Sequence, residues 1–249
     1  ALIASDVEDN ANGKVYSEKL NTYFEQKKVM DALLEDPNNW KNKAQDILDA
    51  KNKVSFALEE LWMESEVVAL AIEREASGAV VVKGVKNGDI LCNYNTKSVF
   101  KVDMSDLKQG DHLIERSKDI VVLRPLSLTT DQRNTRDTLV KKLRSSDRDV
   151  AGRMEALKNL KSMVESGILP KPFEVGDVFQ HCHSTYSHSP GNTPSFIAWR
   201  GYVLGLLVTG IVDHDTVKGF KEFRDAAAII GLRNPASGYE QRVMPKGTP

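Results

Sequence analysis

Cysteine is almost missing from this chain: Cys92 and Cys182 are the only two in 249 residues. They stand far apart and form no disulfide framework, which suits a reducing compartment. No apolar run approaches the roughly 20 residues that a bilayer-spanning helix needs. The first residues, ALIASDVEDN, lack the basic flank and apolar core of a signal peptide. Charge of one sign is lacking too. Lys and Arg number 34 against 35 Asp and Glu, a formal net charge of −1 that gives no global reason to expect nucleic acid as a partner. Neither an internal repeat nor a low-complexity tract is present. What is there, 41% hydrophobic and 28% charged residues, is the composition of a soluble globular protein, expected in the cytoplasm and without a membrane partner.

The length accommodates one large domain or two ordinary ones. From 15 to 34, Leu20, Tyr23, Phe24, Met30, Leu33 and Leu34 recur at helical spacing, and Pro37 ends the run. A second helical stripe is read from 40 to 76 through Ile47, Val54, Leu58, Leu61, Val68 and Ile72, with Gly78 beyond its end. Between 79 and 124 the texture turns to β. Asn87-Gly88 marks a hairpin, and SVFKVD, DHLIE and DIVVL add short strands, for a small antiparallel sheet or barrel. These residues, 1–125, are expected to fold as one helical plus small β domain. Residues 126–177 are read as a linker, SLTTDQRNTRD, followed by a helical lead-in through Met154, Leu157, Leu160 and Val164. From 178 to 249 strands and helices alternate, the pattern of parallel pairing in an α/β layout.

Histidine is also scarce, yet four of the five fall between His181 and His214; the fifth, His112, has no ligand-type partner at useful spacing. In a strand, residues two apart share a face, so His181 and His183 of HCHSTYSHSP project together and Cys182 points the other way. Two neutral imidazoles side by side can both donate lone pairs to one cation. A lone H-x-H is a weak signal. Convergence strengthens it: if the next strand is parallel and adjacent, GIVDHD brings Asp213, His214 and Asp215 to the same rim, and GYEQRV brings Glu240. In α/β sheets that rim is where sites are built.

HCHSTYSHSP, GIVDHDTVKGFKEF and GYEQRV resemble the first motifs of the polymerase and histidinol phosphatase (PHP) superfamily, and RMEALKNLKSMVESGILPKP resembles the helical lead-in of bacterial members. The resemblance covers about residues 128–249. It implies an α/β fold, a distorted β/α barrel of PHP type, here incomplete; the helical segment and small antiparallel β segment that precede it in residues 1–125 lie outside the resemblance. It implies a metal-dependent hydrolase of phosphate esters, with two or three divalent transition metals (Zn, Mn or Fe) at the strand ends and a phosphorylated small molecule as substrate. By the same resemblance His181 and His183 bind one metal, Glu240 bridges to a second, and His214 is the ligand of the Asp-His motif. His188 is either a further ligand or a loop residue near the site, and Asp213 either a ligand or a group that orients a neighbouring histidine. Arg242, two residues after Glu240, either contacts a substrate phosphate or is solvated.

Only nine residues follow Glu240, too few for the remaining strands of such a barrel. The expectation is therefore a truncated sequence, or one completed by another polypeptide, with a partial site and self-associating open edges. A non-catalytic binding or scaffold module with a vestigial metal site is the other function class left open.

Overall fold

In a computed structural model the chain divides into two compact units, Ala1–Ser127 and Leu128–Pro249. The structure describes residues 11–36, 38–74, 80–83, 100–101, 112–116, 119–172, 174, 178–187 and 192–241. The chain is mixed α and β. Neither sheet closes into a barrel among the described residues, and no described helix is long and apolar enough to cross a membrane.

In the first unit, α1 (Ala11–Glu35) packs along α3 (Ala44–Met63) after the single turn α2 (Asn39–Asn42). Tyr16, Leu20 and Tyr23 of α1 and Ala50, Ala57 and Leu61 of α3 are buried; of the expected stripes Leu20, Tyr23 and Leu61 are among them, whereas Phe24 and Leu34 are exposed. Five antiparallel strands follow: β1 (Ser65–Arg74), β2 (Val80–Lys83), β3 (Phe100–Lys101), β4 (His112–Arg116) and β5 (Asp119–Pro125). Their order is β3-β2-β1-β5-β4. His112 sits beside Tyr16, ring centroids 5.3 Å apart.

The helix expected to run from 40 to 76 is thus corrected. It ends at Met63, and Ser65–Arg74 is the central strand of the sheet. SEVVALAIER has apolar residues at spacings that fit both periods, and its β-branched Val67, Val68 and Ile72 favour the pleated conformation. Strands on both sides decide the matter: β2 and β5 pair with it along opposite edges, replacing the hydrogen bonds that a helix would make with itself. The Asn87-Gly88 hairpin lies outside the described residues.

The second unit opens with two helices, α4 (Thr130–Arg144) and α5 (Val150–Glu165). The stretch expected as a linker is therefore largely helical. Thr129 and Gln132 form a capping box: the Thr129 hydroxyl accepts from the Gln132 amide, and the Gln132 side chain accepts from the Thr129 amide. Asp149 caps α5 by accepting from the Gly152 amide at 2.8 Å. Then strands and helices alternate: β6 (Val178–Phe179), α6 (Pro194–Val203), β7 (Val208–His214), α7 (Phe220–Ile230) and β8 (Asn234–Glu240). Gly231 ends α7 in the left-handed region at φ 73°, which glycine adopts without the Cβ penalty.

The three strands are parallel, in the order β6-β7-β8. Alternate residues of β7, Thr209, Ile211 and Asp213, are buried. On that side α6 and α7 pack together, with α5 against both. Ile211, Phe223 and Ile230 are fully buried, each contributing about 1.5–3 kcal/mol of burial free energy. The other residues of β7, among them Val212 and His214, form the opposite face, and that face carries the candidate site.

Candidate metal centre

In a parallel ladder, paired residues project to the same side. His214 is opposite Glu240, so the two side chains emerge together at the C-terminal ends of β7 and β8. His214 Nδ1 stands 2.9 Å from Glu240 Oε2. The Asp215 amide donates to the Glu240 carbonyl at 2.9 Å, extending the pairing one residue past the ladder.

Bringing the first two histidines to this face takes a departure from regular geometry. β6 begins with Val178 opposite Val208 and Phe179 opposite Thr209. Strict alternation from Val178 would put Gln180 and Cys182 on the His214 face and turn His181 and His183 away. The chain slips instead. The Val212 amide donates to the Cys182 carbonyl at 2.9 Å, which sets Val212 opposite His183, one residue short of the starting register. One extra residue in the path of β6 thus swings both imidazoles round to His214 and Glu240. Gly210 makes room for it. A Cβ there would stand 2.7 Å from the Gln180 carbonyl oxygen and 3.0 Å from its Cα, main-chain atoms with little freedom to retreat.

The result is a compact cluster. His181 Nε2 is 3.2 Å from Glu240 Oε1, and His183 Nε2 is 3.9 Å from Glu240 Oε2. One ligand atom from each of His181, His183 and Glu240 can be chosen so that all lie within 4.8 Å of one another. The His183 and His214 rings stack with centroids 4.3 Å apart, and His181 meets His183 edge-on at 5.0 Å. The His181 side chain is 60% exposed and that of His183 25%, so the cluster opens to solvent on the His181 side. His183 Nδ1 is buried with no hydrogen-bond partner among the described residues. A buried polar atom of that kind has room for a further partner, a water or an ion. Two imidazoles and a carboxylate suit Zn, Mn or Fe, whereas Ca prefers oxygen alone. The residues present fit a divalent transition metal.

Asp213 lies elsewhere. It projects to the helix-covered side of β7 and is fully buried. Its Oδ1 accepts from the Ser184 amide at 2.6 Å and its Oδ2 from the Ser184 hydroxyl at 2.7 Å. Cys182 also leaves the cluster. Burial and the negative charge of Asp213 push its thiol up to about 11. His188 and Arg242 lie outside the described residues.

A second polar group, absent from the sequence reading, underlies the loop after His183. Arg153 of α5 and Glu222 of α7 form a buried bidentate pair, Nε to Oε1 at 2.8 Å and Nη2 to Oε2 at 2.9 Å. The Tyr186 hydroxyl donates to Glu222 Oε2 at 3.2 Å and the Ser195 hydroxyl to Oε1 at 2.6 Å. Burial pushes the Glu222 carboxyl up, but Arg153 and Ser195 outweigh it and hold the group below the usual range. A sequence signal existed: Arg153 precedes Leu157, Leu160 and Val164 on one apolar stripe, and Glu222 precedes Ala226 and Ile230 on another. Opposite charges set into two apolar stripes point to a buried pair. No protein-family model matches the chain, and neither a characterised protein nor a solved structure is significantly similar to it.

Proposed function

We propose that His181, His183 and Glu240 hold a divalent transition metal, with His214 beside them, and that the protein is a PHP-like hydrolase of phosphate esters. The observation that carries the metal reading is the convergence of two imidazoles and a carboxylate from different strand ends, achieved through an irregular β6. The hydrolase reading rests on the resemblance of the three motifs. Bound at such a site, a divalent metal polarises phosphoryl oxygens and acidifies water.

The chain's own groups divide the work. Glu240 offers one carboxylate oxygen toward His181 and the other toward His183 and His214, so a single side chain faces all three imidazoles. His181, on the solvent side, borders the entrance through which a phosphorylated small molecule would arrive. In this reading further strands would complete a barrel of PHP type, and Arg242 would meet a substrate phosphate.

Metal analysis on protein purified without chelator tests the reading. The wild type should carry Zn, Mn or Fe, and the His181→Ala, His183→Ala double variant should carry none above background. Equal metal in both would refute it. Hydrolysis of a generic phosphate ester with added Mn or Zn then separates the enzyme from a non-catalytic metal-binding scaffold, which would bind without turnover.

A further inference from the structure

We infer that Asp213 is a positioning residue for His183, acting through Ser184 rather than touching a metal itself; this rests on the metal reading above. The peptide unit between His183 and Ser184 carries the Ser184 N–H, and that N–H donates to Asp213 Oδ1 at 2.6 Å. The preceding unit is held as well, by the Val212 amide on the Cys182 carbonyl. Both peptide planes that flank His183 are thus fixed, and with them the direction in which its imidazole leaves the chain. The Ser184 hydroxyl donates to the second oxygen, Oδ2, at 2.7 Å, and its own oxygen accepts from the Tyr186 amide at 3.2 Å. Ser184 and Asp213 are both fully buried, so water does not compete for these bonds. The side of β7 matters as well. Asp213 and His214 are adjacent in a strand and project to opposite faces, so the carboxylate reaches the cluster only through the main chain.

The surroundings are shaped to the pair. Gly219, just before α7, leaves open a space where a Cβ would stand 2.9 Å from Asp213 Oδ2 and 3.0 Å from Ser184 Oγ. Charge is not the feature this arrangement uses: the carboxylate meets two neutral donors on one residue. An asparagine, which keeps an oxygen for the Ser184 amide, should serve in part. A ligand, by contrast, is not replaced by asparagine without loss of its charge and its lone pairs.

The test is a titration of the full chain, stripped of metal, with cobalt(II) alone, read by its visible bands, which report ligand number and geometry. Partners of this kind typically set about 10–100-fold in metal affinity. Asp213→Ala should weaken cobalt binding by that factor and shift the bands, and Asp213→Asn should lose no more than about tenfold. In a His183→Ala background, Asp213→Ala should cost nothing further, because the residue through which it acts is gone. Should Asp213→Ala fail to fold, Ser184→Ala carries the same cycle: it deletes the Oγ–Oδ2 bond, together with the Tyr186 amide's bond to Oγ, and leaves the Ser184 N–H on Oδ1. Asparagine as damaging as alanine, or an equal loss with and without His183, would overturn the inference. A wild-type chain that binds no cobalt would instead overturn the metal reading, and this inference with it.

Discussion

Replacing Arg153 by methionine isolates what the buried ion pair contributes. The substitution roughly keeps the aliphatic stem and removes every donor. Glu222 loses two charge-assisted hydrogen bonds, at 2.8 and 2.9 Å, in a site where both side chains are 3% exposed. The Ser145 and Asp147 carbonyls lose the Nη1 donor that reaches them at 3.1 and 2.8 Å. Leaving one member of a buried pair uncompensated costs about 3–5 kcal/mol, a large share of the roughly 5–15 kcal/mol that holds a domain folded. Hydrogen exchange over α5 and α7 reads this unit by itself. The pH dependence gives the loss its signature. In the wild type the Glu222 carboxyl lies below its ordinary 4.5, so its contribution is complete above that value and is lost as pH falls through the folded one. Without Arg153 only the Ser195 bonds oppose burial, the largest influence, and the carboxyl rises from its wild-type position. The variant's deficit is then largest at neutral pH and shrinks as acid protonates Glu222. Adding Glu222→Leu should recover most of the loss. A deficit under about 1 kcal/mol, or one that is the same at pH 7 and pH 5, would refute the reasoning.

Two further outcomes follow from the site's surroundings. Gly210→Ala drives a Cβ to 2.7 Å from the Gln180 carbonyl oxygen; it should cost about 1–3 kcal/mol in a thermal melt and weaken cobalt binding, and a variant unchanged in both would mean that β6 takes another path. Cys182, its thiol raised to about 11, should react with iodoacetamide at pH 8 on the order of 100-fold more slowly than a free cysteine, whose pKa is about 8.5. The rate is to be measured in a Cys92→Ser background, and alkylation at the free rate would show the thiol to be accessible and ordinary.

Much of the second unit was legible because local signals and tertiary structure agree there. The apolar run LLVTGIVDH becomes β7, Gly231 stops α7, and the strands pair in parallel, so that His181, His183, Glu240 and His214 meet as the motif spacing implies. Two segments were misread for opposite reasons. Ser65–Arg74 carries apolar residues enough for either period, and only its neighbours β2 and β5 decide for the strand. Thr130–Arg144 carries too few: its Leu139, Val140 and Leu143 stripe is short, and the polar first turn reads as a linker although Thr129 and Gln132 announce a helix start. The site shows the same limit. Spacing names the histidines, but what turns them to the right face is a contact between Gln180 and Gly210, distant in sequence, and what fixes His183 is a carboxylate on the far side of β7.

The slip in β6 sets four steps along one strand, from Phe179 to His183, against three along the next, from Thr209 to Val212. Side chains switch faces at every residue, so deleting Gln180, the one residue between Phe179 and His181, would remove the slip. His181 and His183 would then follow Phe179 opposite Gly210 and Val212 in unbroken alternation, still on the face of His214 and Glu240. Inserting one residue there, with the ladder keeping its starting register, would instead carry both histidines two positions, about 7 Å, along the same face toward the end of β7. At its present length the segment reaches the site only by slipping, and one residue fewer would reach the same face without it.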